Sequence, residues 1–450
     1  MLKQVMCKFG LPALLLLINT GIANAYDYPF DDPYVATILG TPPEFALKLP
    51  EKVPVKTDSI TMFPDRAAPD VLWYQRDMHY SYLQQKQAAP LIFIVAGTGA
   101  SYQSAKMQAM QKAFYTAGFH VVSISSPTFP NFIVAASSTG VPGNLIEDSK
   151  DIYNVMEAIW LKLQKQKMEV TDFNLTGYSL GGTQSAFIAK LDEERKVFNF
   201  RRVLLINPAV SLYNSVTRLD AMLNDNLPGG TKDFNTFYKD AIAAFSEVYQ
   251  KNLHVQFNED FLFDAYKYRK PRRDENLKVM IGASFRLASQ NMVFVTDVLT
   301  QAGYVVPKGL KISQYDDYSI YSKILNRLSF VDYFNGIFVP YFQKADPTLT
   351  AEKLIREMSL TSIEPYLRSA SKIGLMGNED DIILAPGEID FLRDVFGSRA
   401  TIYPVGGHCG NMGYPENVYT MLNFFAAPAR ASAETRPTAD NQAQLLAEAN

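Results

Sequence analysis

The chain has 450 residues, of which 47% are hydrophobic, 12% aromatic and 20% charged, a mixture that excludes disordered, collagenous and disulfide-dense classes. Its 43 basic and 46 acidic side chains give a net charge of −3, so there is no global positive field to hold a nucleic acid. The length allows one large domain with an insertion, or two.

Residues 1–25 combine Lys3 and Lys8, an apolar stretch from Leu11 to Ile18 and the small-x-small sequence Ala23-Asn24-Ala25. This is the pattern of a cleavable secretory signal peptide; the apolar stretch falls short of the ~20 residues a membrane span needs and contains Pro12. Cleavage after Ala25 would remove Cys7 and leave Cys409 alone, so the exported protein is expected to have no internal disulfide. The Asn174-Leu175-Thr176 sequon falls in an apolar strand pattern where a glycan has no room, which favours a bacterial periplasmic or secreted protein.

From residue 26 to 57 the prolines 29, 33, 42, 43, 50 and 54 predict an extended arm over the surface. Residues 59–63 and 71–83 have the alternating, aromatic character of an antiparallel opening hairpin. Next come two continuous apolar runs, 91–97 and 120–125, separated by a helix over 104–117 with Met107, Met110 and Phe114 on one face. A second amphipathic helix over 147–166 leads into a strand at 172–177, and further strands follow at 201–208, 371–377 and 400–407. The repeated alternation predicts an α/β fold with a mostly parallel, doubly wound sheet. Between Ala209 and Ala370 aromatics are dense and helical spacing dominates (Phe234, Phe237, Tyr238, Phe245, Tyr249), so these residues read as a helical insertion after the sixth strand. Residues 428–450 lack aromatics and read as a disordered tail.

Gly177-Tyr178-Ser179-Leu180-Gly181 lies between a buried strand and a helical pattern, the setting a Gly-x-Ser-x-Gly nucleophile turn requires. The turn is so tight that side chains at Gly177 and Gly181 would collide, and it puts the Ser179 hydroxyl at a helix N-terminus, where negative charge is favoured. The glycines alone would also suit a tight turn with an N-capping serine.

With these residues the chain resembles the α/β-hydrolase family, over roughly Ser59–Pro208 and Ser371–Ala427; the insertion is not covered. The resemblance implies the order serine, acid, histidine, with the acid after a late strand and the histidine after the last. His408, after Gly406-Gly407, would then be the base, and Asp380 the acid, with Asp381 as the alternative and Glu379 third. The oxyanion hole would take one N–H from Leu180 and another from Thr98 or Gly99, although the His-Gly start common in the family is absent from Gly97-Thr98-Gly99-Ala100. The core would comprise residues 58–208 and 371–427, flanking a helical lid at 209–370.

Of the other histidines, His79 and His120 lie in strand patterns and His254 in the insertion; with no Cys-x-x-Cys and no His-Glu-x-x-His, neither a metal nor another cofactor is expected. Cys409 reads as a buried small hydrophobe. The expected activity is hydrolysis of a lipid ester or another apolar acyl ester; thioester, amide and peptide bonds stay open, as does a non-catalytic lipid-binding role. The aromatic lid suits an apolar substrate or supplies its own core, and Lys267–Arg273 suits either a peripheral membrane contact or a solvated face. Oligomeric state is not legible.

Overall fold

The computed structural model describes residues 26–227, 236, 237, 239, 240, 243 and 277–426. The proposed signal peptide, the run Lys267–Arg273, His254 and the tail 428–450 lie outside the described residues.

Eight strands form one sheet in the order β1-β2-β4-β3-β5-β6-β7-β8. They are β1 (Lys56–Ile60), β2 (Met78–Leu83), β3 (Ala89–Val95), β4 (His120–Ile124), β5 (Val170–Tyr178), β6 (Arg202–Ile206), β7 (Ile373–Asn378) and β8 (Ala400–Tyr403). β2 runs antiparallel to both its neighbours and every other pairing is parallel. An antiparallel entry, a parallel body and a reversal of strand order around β3 and β4 make this the α/β-hydrolase fold. The central strands read as unbroken apolar runs because both their faces are covered: Leu91 to Val95 are wholly buried, Leu91, Phe93 and Val95 packing on one face and Ile92 and Ile94 on the other.

On one face, α2 (Ala105–Thr116) and α8 (Pro415–Ala426) present Met107, Met110, Phe114, Val418, Met421 and Phe425. On the other lie α3 (Leu145–Lys165), α4 (Leu180–Arg195) and α7 (Glu388–Phe396). The α3 face built from Ile152, Val155, Met156, Ile159 and Leu163 follows helical spacing, and Asn144 caps its start by accepting from the N–H groups of Ile146 and Glu147.

Two expectations need correction. The opening hairpin exists, but residues 70–75 form a 3-10 turn and only Met78–Tyr82 pair with β1. The arm at 26–57 is not extended throughout: α1 (Pro33–Leu39) begins at Asp32, whose carboxylate accepts from the N–H groups of Tyr34 and Val35, with Pro33 at the first helical position. The Asp-Pro pair that starts this helix is itself a helix-start signal, hidden among prolines that read as loop punctuation.

Between β6 and β7 the described residues are mainly helical, with α5 (Leu212–Asn224), α6 (Leu277–Thr300) and shorter helices from Ser319 to Ser369. A buried ion pair ties these together: Arg286 Nη2 on α6 lies 3.0 Å from Asp220 Oδ1 on α5, and the other Asp220 oxygen accepts from the N–H of Phe330 at 2.7 Å. Breaking such a pair strands a buried charge. Urea unfolding of Arg286→Met should therefore show a loss of about 3–5 kcal/mol, and adding Asp220→Asn, which keeps an acceptor for Phe330, should recover part of it. A loss below about 1 kcal/mol would mean the pair does not hold these helices together.

Candidate active site

β5 ends at Tyr178 and α4 begins at Leu180, leaving Ser179 alone to make the turn. Its φ of 54° and ψ of −126° are costly for any residue with a side chain. Its N–H is held by the Ile206 carbonyl at 2.9 Å. The flanking glycines are obligatory: a Cβ on Gly177 would lie 2.3 Å from the Gly181 carbonyl oxygen, and one on Gly181 would lie 2.2 Å from that of Val95. Ser179 thus projects at the C-terminal edge of the sheet, over the first turn of α4.

His408 comes from the loop after β8, and its Nε2 lies 2.8 Å from Ser179 Oγ. Nδ1 lies 3.0 and 3.1 Å from the two oxygens of Asp381. Asp381 has been drawn out of solvent, with a side chain only 1% exposed, and is fixed by two further donors, the Asn207 side-chain amide at 2.9 Å and the Ile383 N–H at 3.2 Å. Burial works against an imidazolium at His408, but the Asp381 carboxylate outweighs it and, with a further contribution from Cys409, holds the His408 pKa above its ordinary value.

Asp381 therefore occupies the place expected for Asp380. Asp380 instead accepts from the N–H groups of Gly406 (3.1 Å) and Gly407 (2.9 Å), closing the turn that carries His408. Burial pushes the Asp380 carboxyl up, against these two bonds, and the Asp381 charge adds to the rise. Glu379 is exposed and paired with Arg393. β7 continues through Asn378, which pairs with Tyr403, one residue beyond its expected end.

Leu180 is the first residue of α4, where backbone N–H groups have no partner within the helix. Of the two candidates in the loop after β3, Gly99 donates its N–H to Thr128 Oγ1 at 2.8 Å, so it is already committed; Thr98 lines the cavity beside Ser179. Thr37, which the sequence reading passed over, accepts the His408 N–H at 2.9 Å and donates to the Pro33 carbonyl at 2.6 Å, joining α1 to the histidine loop. Asn207, inside the strand read at 201–208, falls just past the end of β6 and holds Asp381 through its side-chain amide. Cys409 is buried, with Sγ 3.9 Å from His408 Nε2. Of the other histidines, His120 is buried in β4, its Nδ1 accepting from the Gln85 N–H and its Nε2 donating to the Glu169 carbonyl, and His79 lies on β2.

The serine and histidine open into a cavity of about 160 Å³. Its walls are mainly apolar: Leu212, Val216 and Leu219 from α5, Ile281 and Phe285 from α6, and Ile382 and Ile383 from the loop after β7. The segment between β6 and β7 thus supplies much of the wall facing Ser179. Among the described residues no group of three or more His, Cys, Asp or Glu side chains could hold a metal ion.

No protein-family model matches the chain, and no curated protein matches it. Among solved structures it is similar to Est1E from Butyrivibrio proteoclasticus, at 11% identity and a TM-score of 0.36 over 78% of this chain and 96% of that one. It is also similar to the fungal esterases from Rhizomucor miehei (12% identity, TM-score 0.38, 84% of each chain). A third such structure is a hyperthermophilic esterase from the archaeon Pyrobaculum calidifontis (13% identity, TM-score 0.36, 84% of this chain and 87% of that one).

Titration of the imidazole protons by NMR tests which carboxylate faces His408. Asp381→Asn should lower the His408 pKa by about one unit or more, because it removes the charge that favours the imidazolium. Asp380→Asn should leave it near its wild-type position, and a larger fall in that variant would reverse the assignment.

Proposed function

We propose that this chain is an exported serine hydrolase that cleaves a carboxylic ester of an apolar acyl compound through an acyl-enzyme on Ser179. The observation that carries the reading is the continuous line of hydrogen bonds from Asp381 through His408 to Ser179, opening into an apolar cavity. Such a line is what an activated nucleophile requires: a hydroxyl, a base within reach of its proton, and an orienting group behind the base.

In this reading Asp381 accepts the Nδ1–H of His408, which leaves the Nε2 lone pair facing Ser179. As Ser179 Oγ attacks the ester carbonyl, its proton passes to Nε2, and the imidazolium that forms is balanced by the buried carboxylate. The carbonyl electrons move onto oxygen, where the N–H groups of Leu180 and Thr98 and the N-terminal end of α4 receive the charge. Collapse expels the alcohol, which takes the proton from Nε2. Water, deprotonated by the same nitrogen, then attacks the acyl-Ser179 ester, and the second collapse releases the acid and restores Ser179.

The apolar walls from α5 and α6 favour an apolar acyl or alcohol group, and in this proposal the segment between β6 and β7 acts as a lid. Export rests on the signal-peptide pattern of residues 1–25.

Hydrolysis of p-nitrophenyl butyrate tests the reaction. Ser179→Ala should remove it, Asp381→Asn should lower kcat on the order of 10⁴-fold, and Asp380→Asn should cost far less. An Asp381→Asn enzyme of near wild-type rate would contradict the assigned roles. Because neutral imidazole is the active form and its pKa is raised, kcat/KM should climb with pH along a limb centred above about 6.5, the ordinary histidine value. A limb centred below that value would contradict the electrostatic coupling to Asp381.

A further inference from the structure

Lys106 is a charged side chain in the cavity that the proposed chemistry leaves unused. It is half-buried in the first turn of α2 and also lines a second, largely apolar cavity of about 260 Å³ between the α1 segment, α2 and the residues after His408. The two cavities share Thr37, Lys106 and Cys409, so Lys106 stands at their junction and lines the same cavity as Ser179 and His408.

The charge has no internal compensation among the described residues. Among the described residues Lys106 makes no ion pair or hydrogen bond, and neither cavity is lined by an aspartate or a glutamate. Its position at the start of a helix works against the helix dipole, and the first turn of α2 contains no acidic residue to offset it. A partly buried cation with mainly apolar neighbours and no counter-charge among the described residues is one that an anionic ligand would stabilise. The alternative is that the aliphatic stem covers apolar surface while the ammonium reaches bulk water.

We propose that Lys106 binds an anionic group of the substrate, a carboxylate or a phosphate, at the junction of the two cavities. The preferred ester then combines an apolar chain with one negative charge, as in a monoester of a dicarboxylic acid. This deepens the ester-hydrolase reading and rests on it.

The test compares p-nitrophenyl hexanoate with mono-p-nitrophenyl adipate and p-nitrophenyl 6-phosphonooxyhexanoate, which place a carboxylate or a phosphate at the far end of the chain. The wild-type enzyme should favour at least one anionic ester by about tenfold or more in kcat/KM, and which one identifies the group. Lys106→Met should abolish that preference mainly through KM, Lys106→Glu should invert it, and Lys106→Arg should retain it. Rising ionic strength should erode the preference in the wild type. A wild-type preference for the neutral ester, or a ratio unmoved in Lys106→Met, would overturn the proposal, since loss of stem packing alone would slow all three esters alike.

Binding of monomethyl and dimethyl adipate to the Ser179→Ala protein by calorimetry separates the two claims. Tighter binding of the monoanion that depends on Lys106, without turnover of any ester by the wild type, would keep the anion site and remove the hydrolase reading. Turnover of the neutral ester with no Lys106-dependent binding of the monoanion would do the reverse.

Discussion

The bond between His408 Nε2 and Ser179 Oγ joins two loops separated by 229 positions in sequence, and much of the structure serves to hold those two atoms 2.8 Å apart. β5 and β8 lie at different places in one sheet, with β6 and β7 between them. Their C-terminal ends point the same way because every pairing across this interval is parallel. A parallel sheet needs covered faces, and the apolar runs of β3, β4 and β6 provide the burial that holds the loops in register. The strained backbone of Ser179 persists because the glycines at 177 and 181 let α4 and β3 close around it.

The histidine side is built differently, by the N-terminal segment folded against it. Gly407 and Gly410 approach α1 so closely that a Cβ on either would lie 2.2 Å from a carbonyl oxygen of Pro33 or Ala36. Thr37 accepts the His408 N–H, and Thr41 donates to the Gly410 carbonyl. Behind the loop, Asn378 and Asn411 bond to each other, Asn378 holds the Gly407 carbonyl, and the Asn411 amide also donates to Tyr26. Asp380 binds the two glycine N–H groups before His408. The imidazole is therefore oriented by Asp381 through its ring and by Asp380, Thr37 and the paired asparagines through its backbone.

What could be read from the sequence was whatever a local pattern enforces. The apolar runs marked β3 to β7, the helical spacing marked α2 and α3, and Gly-x-Ser-x-Gly between a strand and a helix marked Ser179. Asp380 and Asp381 are adjacent and chemically identical, so no local pattern separates them; in the fold Asp381 meets the His408 ring and Asp380 the backbone of the turn before it. Asn207 and Thr37 carry no pattern of their own, since each matters only through a neighbour distant in sequence. The α1 helix did leave a local signal in Asp32-Pro33, but its short length among other prolines concealed it. Thr98 and Gly99 were indistinguishable until the Thr128 hydroxyl was seen to occupy the Gly99 N–H.

The most direct measurement of the central claim is labelling of the protein with a fluorophosphonate probe, with the modified peptide mapped by mass spectrometry. Such a probe reacts with an activated serine and traps it as a phosphonate ester. Labelling confined to Ser179, and lost in His408→Ala, is the expected result. An unlabelled Ser179 in the folded protein, with detergent present to open the cavity, would contradict an activated nucleophile there, and labelling that survives His408→Ala would contradict the role given to the hydrogen-bonded line.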